Sequence, residues 1–99
     1  MKAIIKKPGS GPDLIEIDNT LEALQEAVGG YIETVTIARD TVIICNEEGR
    51  LLGYPPNVRF LGVDFVGTIL ICGVKRDLFC DVPHPDAWLE ELDKKENLL

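Results

Sequence analysis

The sequence predicts an α+β domain: an antiparallel or mixed sheet of five or six strands, one short helix packed on a face, and a C-terminal helix. Three observations carry this. Strand-like alternation and β-branched runs outnumber segments with helical spacing. Most connections are turns too short for the crossovers that parallel neighbours need. Pro83-His84-Pro85 stops the last strand and opens a helix, with Pro85 suited to a first helical position. The 99 residues read as one domain, with sheet and first helix in 1–82 and the terminal helix in 83–99. Both helices are expected on one face.

The elements follow in order. Lys2 to Lys6 is a short strand, and Pro8-Gly9-Ser10-Gly11-Pro12 a loop that cannot continue it. Leu14, Ile15 and Ile17 form a second strand that pairs with the first as a hairpin. Asn19 caps a helix, with Glu22 reaching back as in a capping box, and Leu21, Leu24 and Val28 form its buried stripe. Gly29-Gly30 ends it, because the left-handed conformation past a last turn costs glycine nothing. Tyr31 to Ala38 alternates, Arg39-Asp40 turns, and Thr41 to Cys45 is continuously apolar, hence central. Asn46-Glu47-Glu48-Gly49 is turn chemistry, with Gly49 at positive φ. Val58 to Phe65 is mixed and reads as one short strand. Val66 to Val74 is strongly strand-like, Lys75-Arg76-Asp77 turns, and Leu78 to Val82 is an edge strand. Trp88, Leu89 and Leu92 give the last helix its apolar side, and Asp93 to Asn97 is expected to fray.

The net charge of −7 repels phosphates, which argues against direct nucleic-acid binding through a basic face. The longest apolar run, Phe65 to Val74, is about half the roughly 20 residues of a membrane span. The N-terminus turns charged after two isoleucines and lacks the apolar stretch of a signal peptide, so a cytoplasmic location is expected. Cys45, Cys72 and Cys80 fit that compartment as reduced thiols: their number is odd and no pair has metal or redox spacing. Cys45 and Cys72 are flanked by isoleucine, which predicts buried, unreactive groups rather than nucleophiles.

Catalytic signatures are scarce. His84 is the only histidine, and no phosphate loop, dinucleotide fingerprint or nucleophile elbow occurs. No metal or cofactor is expected. The pairs Glu47-Glu48 and Glu90-Glu91 read as solvated charge. The stretch Asn46–Arg59 stands apart as a long connection among short turns, stiffened by Pro55-Pro56. Its candidate ligand- or partner-binding residues are Asn46, Glu48, Tyr54, Asn57 and Arg59, which combine directed hydrogen bonds with an aromatic face. An intramolecular reading competes: the asparagines cap turns, Arg50 and Arg59 pair with Glu47 or Glu48, and Tyr54 covers the core.

Four blocks carry a resemblance: Thr20-Leu21-Glu22-Ala23-Leu24-Gln25, Val28-Gly29-Gly30-Tyr31-Ile32-Glu33, Ile44-Cys45-Asn46-Glu47-Glu48-Gly49, and Leu51-Leu52-Gly53 with Pro55-Pro56-Asn57. Their order and spacing, over residues 2 to 75, resemble a family of small bacterial, phage and plasmid proteins built on a domain of unknown function. The resemblance implies a mobile-element setting, often beside antirestriction genes, and brings no catalytic residues. Three functions follow as expectations. The first is a non-enzymatic binding module that counters a host defence protein, through acidic faces around Glu22, Glu26, Glu90 and Glu91 or through the Asn46–Arg59 loop. The second is a sponge for a small nucleotide-like ligand in that loop. The third is an oligomeric accessory protein, a homo-oligomer paired through the Leu78–Val82 edge or the Trp88 face. An enzyme with Glu48 in a pocket closed by Tyr54 is the remaining alternative.

Overall fold

The computed structural model describes residues 1–97. Five strands lie side by side in the order β2-β1-β7-β4-β3, with β8 added to β7, and every pairing is antiparallel. These are β1 (Lys2–Lys6), β2 (Asp13–Glu16), β3 (Ile32–Ala38), β4 (Thr41–Asn46), β7 (Ile69–Lys75) and β8 (Leu78–Cys80). A separate hairpin joins β5 (Pro56–Phe60) to β6 (Val63–Val66). The helices are α1 (Leu21–Val28) and α2 (Pro85–Asn97). The α+β class, the antiparallel sheet and both helices are thus as the sequence predicts. Leu98 and Leu99, assigned by sequence to the last helix, lie outside the described residues.

The β-branched runs occupy the middle of the sheet because both of their faces are covered. Along β4 and β7 the side chains alternate between two apolar cores. Ile43, Cys45, Ile69 and Ile71 face one core with Val58, Phe60, Phe65 and Leu92. Val42, Ile44, Leu70 and Cys72 face the other with Leu24 and Val28. The helices therefore cover opposite faces rather than the expected one. A short α1 hides only part of a six-stranded sheet, and the β5–β6 hairpin with α2 closes the other side. Phe60 and Trp88 meet there at 5.8 Å, and Lys95 lies 4.7 Å over the Phe60 ring.

Several local expectations shift. Thr20, not Asn19, is the cap of α1: its hydroxyl accepts from the Ala23 N–H at 3.2 Å. Asn19 instead donates to the Phe79 carbonyl at 2.8 Å, tying the helix start to β8. Leu21 is 56% exposed, so the buried stripe is Leu24 and Val28 alone. Gly29 ends the helix at φ 85°, as expected. Gly49 does not take positive φ. It is glycine for space, since a Cβ there would stand 3.0 Å from Val66 Cγ2. Asp93 to Asn97 continue α2 instead of fraying, with Lys94 and Lys95 facing Glu90 and Glu91 one turn back.

Candidate functional site

The Asn46–Arg59 stretch is not one loop. Pro56 to Arg59 belong to β5, so the connection proper runs from residue 47 to 55. It winds as consecutive turns: Gly49 N–H to Asn46 O at 3.3 Å, Leu52 N–H to Glu48 O at 2.9 Å, and Tyr54 N–H to Gly49 O at 3.0 Å. The antiparallel phase continues into its first residue, where Glu47 N–H donates to Tyr31 O at 2.8 Å.

Asn46 anchors this connection from inside. It ends β4, is 7% exposed, and its Nδ2 donates to the carbonyl of Val28 at 3.1 Å. Its Oδ1 accepts from the Glu48 N–H at 2.7 Å. One side chain thus satisfies an orphan carbonyl at the end of α1 and fixes the turn. Tyr54 Oη lies 3.5 Å from both Asn46 Nδ2 and the Gly29 carbonyl, closing the same corner. Asn57 is committed through its nitrogen, while its buried Oδ1 has no hydrogen-bond partner among the described residues. It is 3% exposed, and its Nδ2 bridges the carbonyls of Lys6 at 2.8 Å and Gly67 at 2.7 Å.

The five sequence candidates therefore do not form one surface. The side chains of Asn46 and Asn57 are buried, hydrogen-bonded links within the fold, which corrects their expected place as contacts. Glu48 and Arg59 are exposed on separate elements. Arg59 Nη1 donates to both carboxylate oxygens of Asp64 at 3.0 and 3.1 Å, and Arg50 Nη2 donates to the Asp64 main-chain carbonyl at 2.8 Å. Both arginines thus turn to Asp64 rather than to Glu47 or Glu48. Tyr54 lines a cavity with Gly29, Pro55 and Gly67, and Glu48 is not part of that lining. Glu47, rather than Glu48, lines the neighbouring cavity of about 280 Å³, together with Glu33, Val35, Cys45, Arg50 and Asp64.

The connection also exposes apolar side chains. Leu51 is 87% and Leu52 54% exposed, following the exposed Glu47, Glu48 and Arg50. Sequence reasoning passed over these leucines. The available signal was two adjacent leucines inside turn chemistry, where neither a strand nor a helix offers a core to receive them. The four helix carboxylates do not combine, because Glu22 and Glu26 sit on α1 and Glu90 and Glu91 on α2, across the sheet.

The thiols are free and two are buried. Burial pushes Cys45 up to about 11, helped by the nearby Glu33 carboxylate and opposed by Arg50. Burial pushes Cys72 up to about 12, with Cys80 adding to it. Both are thiols, not thiolates, at neutral pH. Cys80, which is half-buried, is expected to label first in native protein, with Cys45 and Cys72 reacting only on unfolding. Rapid native labelling of either would reopen the nucleophile reading. The sign of the linkage is also defined. The unfolded chain loses thiol protons near 9, below the folded values, so stability is expected to fall as pH rises from about 9 towards 12. Alkaline melting curves check this, and replacing both residues by alanine should flatten the decline.

Among the described residues, no group of three or more His, Cys, Asp or Glu is placed to hold a metal ion. No helix among them is long and apolar enough to cross a membrane. No curated protein and no solved structure matches the chain. A family model described as "Domain of unknown function (DUF3846)" matches residues 1–93, a span that includes Trp88 and most of α2, which the four sequence blocks leave out. With both covers of the sheet inside that match, the chain belongs to the DUF3846 family.

Proposed function

We propose that this protein is a non-enzymatic binding module of a phage or other mobile element, and that it counters a host defence protein by docking on it through the 47–53 turn. One observation carries the reading: the turn holds Leu51 and Leu52 out to solvent beside Glu47 and Glu48, while Asn46 and Tyr54 tie its base to α1. Apolar side chains on a pre-set backbone lose little freedom on binding, which is what a docking knob needs. The flanking carboxylates favour a basic partner surface and would speed encounter with it. The mobile-element setting suggested by the four sequence blocks makes a host defence protein the fitting class of partner. The nucleotide-sponge alternative is weaker, because the two arginines near the turn are both engaged at Asp64.

The test is capture of a host protein by the tagged chain, compared with the double variant Leu51→Asp and Leu52→Asp. Loss of a specifically captured protein is expected, roughly a hundredfold in affinity if the leucines act as central anchors. The thermal midpoint is expected to stay within a few degrees, since Leu51 is largely and Leu52 about half exposed to water. Unchanged capture by the variant sinks the assignment of the turn.

A further inference from the structure

We infer that the outer edge of β3 receives an extended segment of the partner protein as an added strand, with a basic side chain beside Glu33 and Glu47 and an apolar one beside Ile37. The inference rests on the reading of the chain as a protein-binding module and names the chemistry of what it binds.

The backbone comes first. The bond from Glu47 N–H to Tyr31 O sets the phase of the ladder, in which Glu33 pairs with Cys45 and Val35 with Ile43. Residues 31, 33 and 35 therefore bond towards β4, and Ile32, Thr34 and Thr36 turn their N–H and C=O groups outward. Among the described residues no strand pairs with that side. The other ends of the sheet are guarded. β2 has four residues, including Asp13 and Glu16, and β8 has only three. β3 has seven, contains neither lysine nor proline, and its single bulge comes after Thr36. It lacks most of the devices by which natural sheets block edge pairing.

The side chains choose the occupant. Glu33, Val35 and Ile37 all face the core that α2 covers, and each lines a concavity. Glu33 and Val35 line the cavity of about 280 Å³ next to the turn, and Ile37 lines an apolar one of about 460 Å³ with Phe60, Leu61 and Trp88. An added strand sets alternate side chains along this face, so one polar and one apolar residue can be read while main-chain bonds supply general affinity. In the first cavity, Arg50 is held on Asp64, and Arg59 takes the Asp64 carboxylate. Glu33 and Glu47 form no ion pair among the described residues, so that end of the edge is negative and complements lysine or arginine. A second copy of the chain is the poorer occupant, because it brings another net charge of −7 alongside.

The probe is a capped peptide matching β3 in length, alternating threonine with lysine, valine and leucine, added to isotope-labelled protein. Amide exchange at Ile32, Thr34 and Thr36 is expected to slow roughly tenfold with free peptide at ten times its Kd, while Glu33 and Val35, already bonded to β4, stay unchanged. Replacing lysine by glutamate in the peptide is expected to weaken binding roughly tenfold, and Glu33→Lys with Glu47→Lys to reverse that preference. A peptide N-methylated on the amides that face β3 should not bind, whereas methylation of the other alternate set should leave binding intact. Equal binding of the lysine and glutamate peptides, or no slowing at the three amides, overturns the inference. So does a protein that sediments as a dimer with those amides already protected, since a second copy then holds the edge. If these arms fail while Leu51→Asp with Leu52→Asp still abolishes capture, the edge assignment falls and the docking turn stands.

Discussion

Leu24→Ala is expected to lower the unfolding free energy by about 2–4 kcal/mol. Leu24 is 2% exposed and packs into the core formed by Ala3, Val42, Ile44, Leu70 and Cys72. The helix that carries it has eight residues, far too few to persist in water without the sheet. Nor can the helix sink to fill the space left by alanine. Its start is held by Asn19 on the Phe79 carbonyl and its end by Asn46, so most of the void remains. Denaturant melting should show a lower midpoint at unchanged slope. Leu21→Ala, three residues away and largely exposed, is expected to change stability by about 0.5 kcal/mol or less. A Leu24 loss as small as that would contradict the packing described.

Asn46→Ala is expected to cost about 2–3 kcal/mol, because it strands two backbone groups, the Val28 carbonyl and the Glu48 N–H, in a buried corner. Asn46→Asp separates the two roles. It keeps the acceptor for Glu48 but sets a second oxygen against the Val28 carbonyl and buries a charge. The unfolded chain loses the Asp proton near 3.9, whereas burial holds it to higher pH in the folded chain. The variant's deficit relative to the parent should therefore grow as pH rises above about 4, read from melts at several pH values. A deficit independent of pH contradicts a buried Asn46. Either substitution also loosens the base of the 47–53 turn, so partner capture should weaken together with stability, unlike the leucine variants.

What was legible in the sequence was what local pattern controls. Thr41 to Cys45 and Ile69 to Cys72 are rich in β-branched residues and unbroken by turn residues, and they are the strands buried on both faces. Leu24, Val28 and Gly29 mark their helix and its end. Most of the misreadings are tertiary. Asn19 and Thr20 are both good caps, and the choice turns on the Phe79 carbonyl, which takes the Asn19 side chain from 60 residues away. The composition of Asn46–Arg59 marked the stretch as unusual. Whether its asparagines face inward depends on Val28, 18 residues from Asn46, and on Lys6, 51 residues from Asn57. The β5–β6 turn places Leu61 at φ 50°, a conformation that leucine rarely takes, so propensity gave no hint of that hairpin. The open edge of β3 is a property of strand order, which periodicity does not contain.

Strand order has one more consequence, for a chain that leaves the ribosome from its N-terminus. β1–β2 and β3–β4 are hairpins of near neighbours, yet their backbones are joined in the sheet through β7, which slots between β1 and β4. Until residues 69–75 are synthesised, the sheet exists as two unjoined halves. Each half presents a long apolar margin, Ala3 to Ile5 in one and Val42 to Cys45 in the other, with nothing to pair against. Closure of the sheet therefore waits for β7, and it must close loops of more than sixty residues between β1 and β7. A nascent chain stalled short of Ile69 is the form most exposed to sticking to its own kind.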